Sequence, residues 1–402
     1  MNLLKEAFPL KYWRGYLTAA IFGFFSWALI QFAKTHDKVI DMVYPYVTRM
    51  AQTFLAEWSA GADYLLWQVV LVVFAVVVLA TVVLMIVFRW NPIQWFGWVL
   101  ASIAIVFTLH TGLYGLNYYA GPISDDIRLA ESEYNLEQLE AAAVYYRDKA
   151  NALADMISRS DGGVVQFPTF EEMAEMAGDG FDTLVYDRYL SVFAGSKVPV
   201  KKLGWADAFT SAGITSVHMP LTGEAAVNPQ IPTVSLPFTM CEAMANRMCI
   251  SIERDALFAA FLACEANEST DFRYSAYFMA YYYCMDAIRT MNTIPSNAAM
   301  VRLQDGESAV LRSDLAAYEE FFRANQKDDK KALADKAGNI LGEKDEFVAE
   351  NFTDLLVSWH IQEVVIPSQV VEELPFDPMD ESQVDLTVTP TPTPTETEGA
   401  DQ

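Results

Sequence analysis

Leu65–Phe88 reads LLWQVVLVVFAVVVLATVVLMIVF, 24 residues without a charge. A bilayer's hydrocarbon core is about 30 Å thick and takes about 20 apolar residues as helix, so this stretch predicts a membrane span. Two more runs flank it. Gly15–Ala33, GYLTAAIFGFFSWALIQFA, gives 19 uncharged residues, and Ile93–Leu116, IQWFGWVLASIAIVFTLHTGLYGL, gives 24. The first run is not read as a signal peptide, because its apolar core is long and no small-residue cleavage site follows. Trp13, Trp27, Trp67, Trp90, Trp95 and Trp98 fall mostly near the run ends, where indoles favour the lipid–water interface. The fold class expected is therefore a mainly α membrane protein with three N-terminal transmembrane helices over residues 1–117.

Lys and Arg near the run ends set the expected orientation. Lys5, Lys11 and Arg14 precede the first run and Arg89 lies in the short second connection, whereas the loop 34–64 dilutes Lys34, Lys38 and Arg49 with Asp37, Asp41, Glu57 and Asp63. The bias puts the N-terminus in the cytoplasm and everything after the third helix outside the cell membrane. His110 sits inside the third run with no second ionisable partner in sight. That favours a helix-bonded or interface-facing imidazole over a proton relay.

The rest of the chain has a different composition. Asp and Glu number 52 against 27 Lys and Arg, for a net charge of −25 over 402 residues, yet mean hydropathy is +0.16. Apolar and acidic residues are thus segregated along the chain. Such a balance excludes a basic nucleic-acid-binding face, which needs clustered Lys and Arg. Four cysteines, Cys241, Cys249, Cys264 and Cys284, are too few for a disulfide scaffold.

From Tyr118 to about 370 the pattern predicts a mostly helical soluble domain. Apolar residues at three- and four-residue steps put helix over 129–159, broken at Asp161-Gly162-Gly163. Further helices are expected at 170–177, 181–193, 238–266, 274–291, 308–326 and 348–359, with short strands near 164–167 and 214–219. Residues 196–202 read as a basic loop. Residues 371–402 hold nine acids and no Lys or Arg, and include TVTPTPTPT. This is the composition of a disordered acidic Thr/Pro tail.

Several motifs lie close together in the domain. Tyr118-Tyr119-Ala120-Gly121-Pro122-Ile123 opens it. Thr222–Asn228 reads TGEAAVN, Leu236–Thr239 reads LPFT, Glu253-Arg254-Asp255-Ala256 follows, and then Phe272-Arg273-Tyr274-Ser275. In this layout the chain resembles a bacterial family of unknown function whose members carry three membrane helices and a zincin-type, gluzincin-like metallopeptidase helix. The resemblance spans roughly residues 12–360 and is most specific over 220–277. It implies an HExxH motif, two imidazoles one turn apart gripping zinc with a glutamate between them as general base. It also implies an acidic third ligand from the Glu-x-x-Ala element, Glu253 first and Asp255 second.

The chain departs from that pattern at all three chemical positions. Glu242 and Asn246 stand at the histidines and Ala243 at the general base, within Glu242-Ala243-Met244-Ala245-Asn246. Alanine takes no proton from water, and an amide offers only a neutral carbonyl. Zinc is the cofactor implied for an intact site, and none is expected here. Glu242, Asn246 and Glu253 would suit at most a weak Ca²⁺ or Mg²⁺ ion, and Glu253 reaches such an ion only if the helix breaks near 248–250. The four histidines, at 36, 110, 218 and 360, form no other HExxH.

Other residues carry two readings each. His218 could replace a lost ligand or be structural. Glu224 and Asn228 could line a cleft or cap a loop. Tyr274, with Tyr277, Tyr281, Tyr282 and Tyr283, could box a ligand or fill a core, and Cys241 with Cys249 could hold a metal or be buried hydrophobes. The reading expected is a membrane-anchored zincin-like protein without peptidase chemistry, acting by binding peptide or envelope-protein partners. The alternatives are an active metallopeptidase with non-standard ligands and a structural membrane protein.

Overall fold

The computed structural model describes residues 10–188, 190–332 and 351–367. The expected tail at 371–402, the start of the helix expected at 348, and Lys5 of the expected N-terminal flank lie outside the described residues.

The chain is mainly helical. The N-terminal part contains α1 (Leu10–Thr35), α2 (Asp37–Ser59), α3 (Leu66–Val87) and α4 (Pro92–Leu113). Three helices are long and apolar enough to cross a membrane: Trp13–Thr35, Leu66–Val87 and Pro92–Leu113. Helices α1 and α4 pack along each other through small residues, as closely approaching apolar helices do. A Cβ added to Gly15 would lie 2.4 Å from the Gly97 carbonyl carbon, so that crossing tolerates no side chain. Further along, the Ser26 and Thr108 hydroxyls share a buried 2.7 Å hydrogen bond. Asn91 caps α4 by accepting from the Ile93 and Gln94 amides, with Pro92 at the first helical position. By contrast, α3 buries no residue at all.

The stretch expected as the loop 34–64 is mostly helix α2. Its apolar residues recur at three- and four-residue steps, and its polar ones gather on one side. It is an amphipathic helix, which the charge count along the loop concealed.

The second part contains α5 (Ile123–Ile127), α6 (Leu136–Ala154), α7 (Phe170–Met176), α8 (Asp179–Tyr186), β1 (Lys201–Lys202), α9 (Ala206–Ser211), β2 (Ser216–Met219) and β3 (Glu224–Val227). It continues with α10 (Leu236–Arg247), α11 (Glu253–Ala266), α12 (Thr270–Met291), α13 (Ile294–Asp305), α14 (Ala309–Asn325) and α15 (Phe352–His360). Asn135 with Gln138 and Thr169 with Glu172 form capping boxes that start α6 and α7. One hydrophobic core joins α6, α10, α11, α12 and α15, with Tyr146, Phe258, Phe261, Phe278 and Phe352 fully buried. The sheet has the order β1-β3-β2, with β1 parallel and β2 antiparallel to β3, so β2 is an edge. The strand expected near 164–167 is a single bridge, Arg159 to Val165.

The helix expected over 238–266 is two helices. Helix α10 ends in a Schellman motif: the Ile250 amide reaches the Ala245 carbonyl at 3.2 Å and the Cys249 amide the Asn246 carbonyl at 3.0 Å. Cys249 takes the left-handed position with φ 70°, where glycine is usual. The break falls at 248–252, where Glu253 needs it in order to turn toward α10.

Candidate functional site

Helix α10 starts behind the turn at 233–235 with Pro237 in its first turn. Its free N-terminal groups are tied down by Ser275, whose hydroxyl donates to the Val234 carbonyl (2.6 Å) and accepts from the Phe238 amide (3.2 Å). The back of the helix, Met240, Cys241, Ala243, Met244 and Ala245, is fully buried. Arg247 is buried too, and its guanidinium is spent on the Ser196 and Val198 carbonyls.

Glu242 and Asn246, four residues apart, share the other face, beneath the edge strand β2. The Ser216 hydroxyl donates to Glu242 Oε1 at 3.2 Å. Asn246 is engaged at both ends: Nδ2 donates to the Glu242 carbonyl at 3.2 Å, and Oδ1 accepts from the Tyr114 hydroxyl at 3.5 Å. The Tyr114 ring also packs against His218, centroids 5.0 Å apart and planes at 59°.

Two titratable groups here are far from their ordinary values. Burial, then repulsion from Glu253, pushes the Glu242 carboxyl up to about 8, with the Ser216 hydroxyl pulling the other way. Burial, then the charge of Arg247, pushes His218 down to about 3. Neither His218 nitrogen has a partner at good hydrogen-bonding geometry, and the nearby Glu224 backbone pulls only weakly the other way. Burial, then neighbouring tyrosines and only after them the Glu242 charge, raises the pKa of the Tyr283 and Tyr318 phenols, from α12 and α14. Glu242, Glu253, Tyr283 and Tyr318, contributed by α10, α11, α12 and α14, therefore lie in one neighbourhood.

The sequence-predicted residues divide accordingly. Glu242, Asn246, Glu253 and His218 belong to this neighbourhood, while Ala243 points into the core. Asp255 is 2% exposed and accepts from the Ile123 amide at 2.9 Å. It pins the Tyr118–Ile123 lead-in onto α11, and burial holds its carboxyl at about 6. Glu224 faces away from α10. Its two oxygens accept from the Leu66 and Trp67 amides at 2.9 and 3.0 Å, capping α3, and it pairs with Lys201 at 2.8 Å. Asn228 holds its loop together, donating to Thr210 at 2.7 Å and accepting from the Gln230 amide at 3.0 Å. The Tyr274 hydroxyl donates to Asp314, which also pairs with Arg159 at 2.7 Å. The other tyrosines of α12 pack into or against the core. Cys241 neighbours Cys264 rather than Cys249, and all four thiols are buried and free.

Tyr114, Ser216 and Tyr318 are the members that the sequence did not point to, whereas Tyr283 belongs to the aromatic cluster it offered. Tyr114 ends the third apolar run and reads there as an interface aromatic. The others come from elements distant in sequence.

The donor set does not fit zinc. Structural and catalytic zinc sites use imidazole, thiolate and carboxylate. Here the helix offers one carboxyl whose proton is held to about pH 8, one amide already bonded at both ends, and no imidazole pair. No step is therefore routed through a metal at this helix.

Residues 40–339 match a protein family described as a protein of unknown function, DUF3810. Neither a search of curated proteins nor one of solved structures gives a match.

Proposed function

The chain belongs to the DUF3810 family, and from that premise we propose a membrane-anchored, zincin-like domain that binds peptide segments of envelope proteins without cleaving them. One observation carries the reading. Glu242 and Asn246 face an edge strand, yet neither they nor Ala243 can hold zinc or activate water. Strand β2 pairs with β3 on one side only, and among the described residues no strand covers its other side. An unpaired strand edge takes up an extended peptide through main-chain hydrogen bonds, and Ser216–Met219 on this one are half-buried. Glu242, neutral near pH 7, would donate a hydrogen bond to a peptide carbonyl. Asn246, Tyr114 and Ser216 are the polar groups beside it.

Anchoring rests on the three long apolar helices, and the Lys/Arg bias orients the domain outward. Protease added to intact cells should then remove epitopes in the domain and spare the N-terminus. Protection until lysis would reverse the topology.

The function is tested on the full chain in lipid nanodiscs with a library of extended peptides. Peptides should be retained and recovered uncut, and elemental analysis should find well under one zinc per chain. Tightly held stoichiometric zinc with cleaved peptides would establish the metallopeptidase alternative. The absence of any retained peptide would leave a structural role. The zincin likeness has its own readout: Glu242→His with Asn246→His should create zinc binding, because a helix preorganises imidazoles at i and i+4. A folded double variant that binds no zinc would remove that likeness.

A further inference from the structure

Helix α2 has two unlike faces. One is polar and packed. Arg49 donates to the Met248 carbonyl at 3.0 Å and the Ser191 carbonyl at 3.1 Å, and Gln52 donates to the Pro220 carbonyl at 3.1 Å. Gly223 sits so close that a Cβ there would lie 2.5 Å from the Ala56 amide nitrogen. The opposite face carries Val39, Val43, Tyr46, Met50, Phe54 and Trp58, all exposed, with Met50 at 75%. Successive steps of three or four residues keep these six on one stripe. Between Val39 and Phe54 that stripe holds no charged residue.

The level of α2 is fixed by the ends of the apolar helices. The Tyr44 hydroxyl donates to the Thr111 carbonyl at 2.9 Å, and Gln52 Nε2 to the Leu113 carbonyl at 3.3 Å. Both carbonyls belong to the last turn of α4. Helix α1 ends at Thr35, two residues before α2 begins, and α3 starts at Leu66, seven residues after α2 ends. All three apolar helices therefore have an end at one level, and α2 lies across it.

We propose that the exposed face of α2 lies in the headgroup region of the bilayer, as an in-plane helix whose other face carries the soluble domain. The occupant is lipid. The face is apolar, it continues the surface of helices that are themselves apolar, and it is tied to them at both chain ends. Aromatic side chains at 46 and 58 suit the interface, and an amphipathic helix with one apolar stripe lies in the plane of the interface and buries that stripe about 5–10 Å deep. The helix then holds the Met219–Gly223 turn and the break after α10 about one helix diameter, ~10 Å, above the lipid. A peptide bound along β2 would be one that emerges from the membrane close by.

The inference rests on the anchoring reading, and the test separates the two. Nitroxides are attached singly at Met50→Cys, Phe54→Cys, Val77→Cys in α3 and Val301→Cys in α13, in the full chain in nanodiscs. The four native thiols are buried, and the replaced side chains are exposed. Labels at 50 and 54 should be relaxed by oxygen dissolved in lipid rather than by an aqueous nickel chelate, more shallowly than at 77. The label at 301 should respond to nickel alone. Nickel accessibility at 50 and 54 with 77 in lipid would overturn the in-plane helix and leave the anchor. Nickel accessibility at 77 would overturn both. Dipolar broadening at 50 in singly labelled protein would show a second copy on the stripe instead of lipid.

Discussion

Two carboxylates flank the same small sheet and have opposite environments. Glu224, on β3, is sealed from solvent and receives three donors, two amides of α3 and the Lys201 ammonium. Glu242, on α10 below β2, receives one hydroxyl and faces a second carboxylate at Glu253. The first environment satisfies a charge and joins the small sheet to the most apolar helix. The second withholds partners and keeps a proton on the acid up to about pH 8. Scaffolding carboxylates are saturated with donors. A buried carboxylate left short of them is where ligand chemistry can enter.

That contrast breaks most readily at Glu224. Glu224→Ala removes the cap of α3 and takes from Lys201 its carboxylate partner, leaving the ammonium with the Ser59 and Tyr64 carbonyls in a site where its side chain is 14% exposed. Losing one partner of a buried ion pair costs about 3–5 kcal/mol, so thermal unfolding in detergent should show a large loss. A loss no greater than that of Glu242→Gln would erase the distinction. The next effect is at Gly223. Its φ of 65° and its contact with α2 both exclude a side chain. A non-glycine residue in such a conformation costs about 1–3 kcal/mol, and Gly223→Ala should also loosen α2, seen as faster amide exchange over 49–56 with little change in α12.

The same two regions show what was legible in the sequence. The three apolar helices were, because a hydrophobic run longer than 20 residues has few other structures; their ends shifted by five residues or fewer from 15–33, 65–88 and 93–116. The domain's helical character was legible from spacing. Helix α2 was not, because its charges were weighed as topology signals while its Val39–Trp58 stripe went unread. The break after α10 was placed at 248–250 only as a condition for Glu253 to approach, since Cys249 occupies a position where glycine would have announced the turn. At the site, the resemblance pointed to Glu242, Asn246 and Glu253. It could not reveal that Glu224 turns away to cap α3, because capping depends on where α3 begins in space. Nor could it supply Tyr114, Ser216 and Tyr318, which converge only through tertiary packing.

The protonation of Glu242 gives a smaller, pH-resolved effect. Its carboxyl lies at about 8 in the folded chain against an ordinary 4.5. The native state therefore keeps a proton that the unfolded state releases between those values, and stability falls as pH rises through that window. Glu242→Gln does not titrate. It should match the wild type at pH 4 and exceed it by about 1–2 kcal/mol above pH 8, a value well below the full shift at 1.36 kcal/mol per unit because the side chain keeps some solvent contact. Parallel stability curves for the two proteins would show that Glu242 is solvated and ionised like an ordinary glutamate.

His218 gives the smallest and cleanest effect. Both ring nitrogens are buried without a well-formed hydrogen bond, with only the Glu224 backbone nearby, and the ring rests on Tyr114. A phenyl ring fills nearly the same space and needs no polar partner. His218→Phe should therefore be neutral or stabilising by under about 1 kcal/mol at pH 7, since relieving an unpaired buried group offsets little else. The sign is clearer in acid. With the folded value near 3 against an ordinary 6.5, the unfolded chain takes up a proton that the native chain refuses, so the wild type loses stability as pH falls from 6.5 toward 3. The phenylalanine variant lacks that component, and its advantage should grow steadily across the window. An advantage that stays flat from pH 7 to 4 would mean that the imidazole is protonated in the native state and has found a partner, most directly the Glu242 carboxylate. The two faces of the sheet would then both be ion-paired, and the comparison between them would fail.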